Sequence, residues 1–178
     1  MKFLITGGTG LIGKRLTEYL VNKGHSVHIL SRKNNLNSDT DYIKYYIWDP
    51  SKLEIDSKCI DNVDVIINLA GKNVFSFWNN KTKKEILESR LNSVKTLIKL
   101  LKENSNTVKQ FISSSATGIY ANNSNENQDE YSETKSHSFL SYVVMKWEKK
   151  VDELSELNII VSKVRIGIVL SVDGGFLE

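Results

Sequence analysis

The feature that most constrains this chain is a glycine-rich turn between an apolar segment and an amphipathic one. Residues 2–13 read KFLITGGTGLIG; the glycines at 8, 10 and 13 satisfy G-x-G-x-x-G, and those at 7, 10 and 13 satisfy G-x-x-G-x-x-G. Such glycines let the chain turn sharply, let the backbone approach a pyrophosphate and let the helix pack close to the strand. The sequence therefore predicts a strand, a phosphate-binding turn and a helix; the alternative is a glycine-rich connection that binds no ligand. The predicted turn comprises Gly7, Gly8, Thr9, Gly10, Leu11, Ile12 and Gly13.

The residues after the second predicted strand indicate which dinucleotide this turn would hold. Gly24 is suited to end the first helix, and residues 25–30 alternate as a strand. An NAD-binding chain places a carboxylate about 20 residues past the glycines to hold the ribose 2′-hydroxyl. Ser31, Arg32 and Lys33 stand there instead, and two cations suit a 2′-phosphate. The sequence favours NADP over NAD; the alternative is that both cations are solvated surface charges.

Apolar strands and amphipathic helices alternate along the rest of the chain. This alternation predicts one α/β domain over residues 1–178, a doubly wound parallel sheet of the Rossmann type flanked by helices. Further strands are predicted at 43–48, 64–69, 111–115 and 159–170, helices at 81–102 and 138–154, and a polar surface loop at 122–136.

Ligands of such sheets bind beyond the carboxyl ends of the strands. Six segments of this sequence fall at those ends, so we expect them to converge on one edge of the sheet. They are residues 7–13, Arg32, Asp49, residues 70–71, residues 113–115 and residues 165–168.

Composition narrows the class of partner. The formal net charge is +3, with acidic and basic residues interspersed, so no basic stripe suggests nucleic acid. No apolar run reaches the length of a membrane span, and Met1 leads directly into a predicted strand, which leaves no room for a signal peptide. The single cysteine, Cys59, fits a reducing cytosol, and the three histidines are too scattered to predict a metal site. We expect a cytoplasmic protein with a small-molecule substrate.

Five motifs carry a family resemblance: ITGGTGLIG at 5–13, NLAGKNV at 68–74 with Trp78 and Ser89-Arg90 beyond it, SSSATGIY at 113–120, FLSYVVMKWE at 139–148 and VRIGIVLSVDGG at 164–175. With them the chain resembles the extended short-chain dehydrogenase/reductase superfamily, in particular its NAD(P)-dependent epimerase/dehydratase branch of epimerase family proteins. The resemblance implies that Asp49 lies near the adenine amino group and that Gly167 and Ile168 lie near the nicotinamide. It also implies that Leu69, Ala70 and Gly71 lie along the cofactor. We add Ser113, at a strand end, to these expected cofactor-binding residues.

The superfamily's chemistry rests on a serine at the end of the fifth strand and a Tyr-x-x-x-Lys on the next helix. Ser115 supplies the hydroxyl that hydrogen-bonds the reacting oxygen, with Ser114 as its alternative. Tyr142 and Lys146 supply the pair on one helix face. In the superfamily the tyrosine hydroxyl exchanges the substrate proton, and the lysine lowers its pKa and holds the ribose.

The helix can also be aligned with the superfamily's tyrosine and lysine positions in a second register. Active epimerases commonly carry a glutamate eight residues after the tyrosine. If Glu148 is that glutamate, the tyrosine position falls on Leu140 and the lysine position on Val144. Two residues around a helix span about 200°, so both registers cannot face the cofactor.

The resemblance has two further implications. Family members continue beyond GGFL at 174–177 with a substrate-binding region, so we expect this domain to be C-terminally incomplete. The two long helices form a homodimer interface in the extended family. The first functional hypothesis is an NADP-dependent oxidoreductase or epimerase that acts on a sugar nucleotide or small carbonyl compound by hydride transfer. The alternatives are a non-catalytic NADP(H)-binding sensor or regulatory protein, and a truncated remnant without function.

Overall fold

The computed structural model describes residues 1–33, 40–75, 77–120, 127–132, 134, 138–171 and 174–175. Seven strands form one sheet in the order β4-β3-β2-β1-β5-β6-β7, and three α-helices connect or cover them. The strands are β1 (Lys2–Thr6), β2 (Ser26–Ser31), β3 (Ile43–Asp49), β4 (Glu54–Ile55), β5 (Val65–Asn68), β6 (Gln110–Ala116) and β7 (Ile160–Ile166). The helices are α1 (Leu11–Asn22), α2 (Asn80–Glu103) and α3 (Phe139–Asp152).

The sheet is parallel except for the pair β3 and β4, and the prediction of a doubly wound α/β fold is confirmed. From β1 the chain builds outward through β2 and β3, then returns to the other side of β1 as β5. The direction of winding therefore reverses between β1 and β5. In open α/β sheets, the crevice at the carboxyl ends of two such strands is where ligands bind.

Two apolar cores cover the two faces of the sheet. Phe3 and Ile5 of β1 belong to a core with Leu20 of α1, whereas Leu4 belongs to a core with residues of α2 and α3, including Val94 and Trp147. Successive residues of a strand point to opposite faces, so β1 is buried on both. This burial explains why the central strands read as continuous apolar runs rather than as alternating ones.

The ends of the helices follow local sequence signals. α1 ends before Gly24, which has a φ of +77°, the left-handed conformation expected of a residue that follows a helix. The side chain of Asn79 accepts a hydrogen bond from the amide of Thr82 at the start of α2. Ser138 caps α3 in the same way through the amide of Ser141.

Three features differ from the predicted elements. The predicted strand 159–170 is broken: β7 ends at Ile166, and Leu170–Ser171 (β8) pairs instead with Gly174–Gly175 (β9). The α-helix predicted over 138–154 ends at Asp152 and continues as a 3-10 turn. The two-residue antiparallel strand β4 was not predicted, because two residues are too few to show a period. The predicted loop 122–136 lies largely outside the described residues.

Candidate functional site

A cleft of about 500 Å³ opens at the carboxyl edge of the sheet. Its walls come from the glycine turn, the segments that follow β5, β6 and β7, and the facing sides of α2 and α3. Most of the residues expected at the site meet here. The predicted residues that line the cleft are Gly7, Gly10, Leu11, Ile12, Gly13, Leu69, Ala70, Gly71, Ser115, Gly167 and Ile168.

The glycine turn presents backbone rather than side chains to the cleft. Gly7 has a φ of +69°, and the amide of Gly10 donates to the carbonyl of Gly7 at 3.0 Å. A Cβ on Gly13 would lie 2.2 Å from that carbonyl oxygen, so the turn closes only around a glycine. A Cβ on Gly10 would lie 3.3 Å from the same carbonyl oxygen, a tight contact, and would meet no other atom within 4 Å. The rest of the space beside Gly10 is therefore open to a ligand.

The N-terminus of α1 opens onto this free space. Gly10 is its N-cap residue, so no side chain satisfies the first amides, and the first turn contains no acidic residue. The first amides of a helix have no partner within the helix, and the helix dipole favours an anion beside them. The turn therefore fits a phosphate group.

Five predicted cofactor-binding residues do not line the cleft: Gly8, Thr9, Arg32, Asp49 and Ser113. Gly8 lies against β2, where a Cβ would be 2.8 Å from Ile29 Cγ2, and Thr9 is exposed. Arg32 is exposed directly after β2, the neighbour of β1 in the sheet, and so lies at the same edge as the glycine turn. The Asp49 carboxylate accepts from the amide and hydroxyl of Ser51, and the hydroxyl's hydrogen bond lowers the pKa of Asp49.

Ser113, the fifth such residue, belongs to a buried polar network beneath the cleft. The hydroxyls of Thr6 and Ser93 both donate to Asn68 Oδ1 at 2.7 Å, and Asn68 Nδ2 donates to Ser113 Oγ at 3.3 Å. Thr6 Oγ1 also accepts from the amides of the two residues after Asn68. The network joins β1, β5, β6 and α2, so it positions the segment at 69–71 rather than binding a ligand itself.

Ser115 lines the cleft, and its hydroxyl donates to the Glu148 carboxylate. Arg165 donates two hydrogen bonds of 3.0 Å to the same carboxylate, one from Nε and one from Nη2. Its Nη1 donates to the Tyr120 hydroxyl at 2.8 Å. Burial alone would raise the pKa of Glu148, but the hydrogen bonds from Arg165 and Ser115 hold it below its ordinary value. Glu148 is therefore ionised, and Ser115 keeps its oxygen lone pairs for a group in the cleft.

The structure does not bring Tyr142 and Lys146 to Ser115. They lie together as their spacing predicts, with the Lys146 ammonium 5.5 Å from the Tyr142 ring centroid, but both are exposed and neither lines the cleft. α3 presents Leu140 and Val144 to the cleft. These residues hold the tyrosine and lysine positions in the second of the two registers described for this helix. The apolar residues of α3 decide its orientation, because Val144 and Trp147 are buried on the side that faces the cleft and the core. Tyr142 and Lys146 are therefore left on the exposed side.

Sequence reasoning missed Arg90 as a residue of the site. It lines the cleft from α2, one turn from the buried Ile86 and one turn from the buried Val94. An arginine on the buried stripe of an amphipathic helix was the signal that could have found it. Its guanidinium lies over the ring of the buried Trp147, 5.3 Å from the centroid.

Two other kinds of site are absent from the described ranges. No three His, Cys, Asp or Glu side chains in them come together in a way that could hold a metal ion. None of the helices found there is long and apolar enough to cross a membrane.

Comparison with known sequences places relatives beside this chain. The NAD dependent epimerase/dehydratase family matches residues 3–147 of the chain. Epimerase family protein YfhF of Bacillus subtilis is 35% identical over 174 residues, which are 98% of this chain and 57% of that protein. The chain thus spans somewhat more than half the length of this curated relative.

Solved structures share the fold along 99% of the chain. The nucleoside-diphosphate sugar epimerase from Corynebacterium glutamicum superposes with a TM-score of 0.81 at 34% identity, with 36% of its chain covered. Human epimerase family protein SDR39U1 (isoform 2), solved with NADPH, superposes with a TM-score of 0.77 at 28% identity, with 57% of its chain covered. The family match covers most of the chain and confirms the resemblance: the chain belongs to the NAD dependent epimerase/dehydratase family.

Proposed function

We propose that the cleft binds NADP(H) and that the protein is an oxidoreductase or epimerase acting on a sugar nucleotide or small carbonyl compound. The observation that carries this proposal is the uncapped N-terminus of α1 beside the open space at Gly10. That arrangement fits a pyrophosphate. The names of two relatives, an epimerase family protein and a nucleoside-diphosphate sugar epimerase, support the reaction class.

The preference for NADP rests on the residues that follow β2. Arg32 is exposed there, Lys33 follows it, and the strand ends in Ser31 rather than in a carboxylate. A guanidinium suits a 2′-phosphate with paired hydrogen bonds. The human relative SDR39U1 was solved with NADPH, which supports the same preference.

A nicotinamide cofactor supplies the hydride chemistry when it is bound. The chain's own contribution near Gly167 and Ile168 is Ser115, whose hydroxyl proton is committed to Glu148. Ser115 Oγ therefore accepts a hydrogen bond, and a substrate hydroxyl is the group it suits. Glu148, clamped by Arg165, fixes that orientation of the serine.

One observation favours the second function, an NADP(H)-binding protein without turnover. The positions of α3 that face the cleft include Leu140 and Val144, which carry no ionisable group. Tyr142 and Lys146, the residue types that would exchange the proton, lie outside the cleft lining. The two functions share the cofactor site and differ only in proton transfer.

A fluorescence titration with NADPH and, in parallel, NADH tests the shared site. We expect binding of both, with NADPH favoured, and we expect Arg32→Asp to shift the preference toward NADH because it removes the phosphate partner and adds a ribose acceptor. A folded chain that binds neither nucleotide would overturn the cofactor site. An unchanged preference in Arg32→Asp would leave Arg32 a surface charge only.

A further inference from the structure

Arg90 is a cation in the cleft whose hydrogen-bonding capacity is only partly used. Nη1 donates to the carbonyl oxygens of Lys72 and Ile86, both at 3.0 Å. Within the described ranges, Nη2 and Nε have no hydrogen-bond partner. A guanidinium carries five N–H donors in a planar fork, so the side of the fork away from Nη1 remains available.

Arg90 also lacks an anionic partner. Three lysines near or on α2 are paired with carboxylates: Lys72 with Glu85, Lys84 with Glu88, and Lys102 with Glu156. No carboxylate of the described residues lies within 4 Å of Arg90, and burial lowers the pKa of its guanidinium. A partly buried charge without an oppositely charged partner is costly in a folded protein, so an anion from outside the chain would satisfy it.

The segment at 69–71 is a neighbour of both the glycine turn and the Arg90 guanidinium. A Cβ on Gly71 would be 3.1 Å from Arg90 Cζ, and a Cβ on Gly7 would be 3.0 Å from the carbonyl carbon of Leu69. The turn, the segment at 69–71 and the guanidinium are therefore successive van der Waals neighbours. With Cα atoms 3.8 Å apart along the chain, the distance from Gly7 to the guanidinium is on the order of 10 Å.

We propose that Arg90 is a second anchor for the pyrophosphate of the dinucleotide. The inference rests on the proposed function: the N-terminus of α1 holds one phosphate, and the free side of the Arg90 fork binds oxygens of the other. Charge-assisted bonds from a fork of this kind are strong and directional. Trp147 supports the guanidinium from below, and its Nε1 is buried without a hydrogen-bond partner among the described residues.

The test compares two nucleotides that differ in the pyrophosphate. Wild-type protein and Arg90→Ala are titrated with NADPH and with adenosine 2′-monophosphate, which keeps the 2′-phosphate and lacks the pyrophosphate. We expect Arg90→Ala to weaken NADPH binding about 10- to 100-fold, as loss of hydrogen bonds to a charged group does, and to leave adenosine 2′-monophosphate binding unchanged. Lys99→Ala removes an exposed cation from the same helix and serves as the control, with unchanged NADPH affinity.

Equal affinity of wild type and Arg90→Ala for NADPH, or an equal loss for both nucleotides, would overturn the proposal. Should Arg90→Ala fail to fold by circular dichroism, Arg90→Lys keeps the charge without the fork. A selective loss of NADPH affinity in Arg90→Lys supports the proposal, and no loss overturns it. A folded wild type that binds neither NADPH nor NADH would overturn the proposed function itself and this inference with it.

Discussion

At the scale of single residues, Gly10 and Gly13 serve different purposes although they belong to one motif. A Cβ on Gly13 would collide with the Gly7 carbonyl at 2.2 Å, whereas one on Gly10 would extend into the cleft. Gly10 also has a φ of −83° and a ψ of 176°, an extended conformation that valine adopts. One glycine is needed by the fold, and the other by the ligand.

We therefore expect opposite outcomes from two substitutions. Gly13→Ala should lower the free energy of unfolding by about 1–3 kcal/mol, since the turn must open to admit the methyl group. Gly10→Val should keep a thermal midpoint near that of wild type and lose NADPH binding, because its side chain occupies the place of the pyrophosphate. Thermal unfolding by circular dichroism and an NADPH titration measure the two effects. Unchanged NADPH affinity in Gly10→Val would refute the phosphate-turn assignment.

At the scale of elements, ion pairs join β7 to α3, and the most buried of them is formed by Arg165 and Glu148. The side chain of Glu148 is 8% exposed and depends on Arg165 of β7 for two hydrogen bonds. Arg165→Ala would leave the carboxylate buried without its cation, and we expect a loss of about 3 kcal/mol in the free energy of unfolding. Lys163→Ala is the matched control; its ammonium is 3.8 Å from Glu148 and partly exposed, so less than about 1 kcal/mol should be lost. Equal losses in urea unfolding would contradict this account.

The orientation of α3 gives a second prediction. Because Tyr142 is 49% exposed and lies outside the cleft lining, Tyr142→Phe should change neither NADPH affinity nor any turnover with a sugar nucleotide. Val144→Phe adds a ring on the cleft side and should lower NADPH affinity at least tenfold. If Tyr142→Phe loses turnover but still binds NADPH, Tyr142 takes part in catalysis and this account of α3 is wrong.

The helices and strands also show which parts of the fold can be predicted from the sequence. Long apolar runs and caps predicted β1, β5, β6 and all three helices, because burial on one or two faces leaves a periodic signal. The end of β7 at Ile166 leaves no such signal, because residues 166–170 remain apolar after the chain has left the sheet. Within the site, backbone-defined residues such as Gly10 were predictable. Asn68 was not, because its role depends on hydrogen bonds between distant segments. Arg90 was missed although its place on the buried stripe of α2 was a signal in the sequence.

At the scale of the whole molecule, a buried histidine makes stability depend on pH. His28 packs against Tyr46, and its Nδ1 lies 2.7 Å from the Cys59 carbonyl oxygen. Burial lowers the pKa of His28 below 6.5, against the opposing effect of that hydrogen bond; Lys2 and Lys44 lower it further. The unfolded chain then binds a proton that the native chain does not, so stability should fall as the pH drops below about 6.5.

Thermal midpoints between pH 5 and pH 8 test this dependence. His28→Asn removes the titrating ring and keeps a donor for the Cys59 carbonyl, so the decline below pH 6.5 should become shallower. His25→Asn, at a partly exposed position, is the control and should retain the wild-type slope. If His28→Asn keeps the full slope, another group is responsible.

The segments that line the cleft also determine when, during synthesis, the pocket can be completed. Residue 7 and residue 169 line the same cavity, although almost the whole described chain separates them. During synthesis the amino-terminal residues emerge first, so the glycine turn must wait for the segment after β7 before its pocket is complete. A nucleotide that fills the cleft would then contact segments that are synthesised at different times, and it would stabilise the native state by mass action. Ligand-dependent protection from proteolysis would consequently extend across the entire sheet rather than stay at the turn.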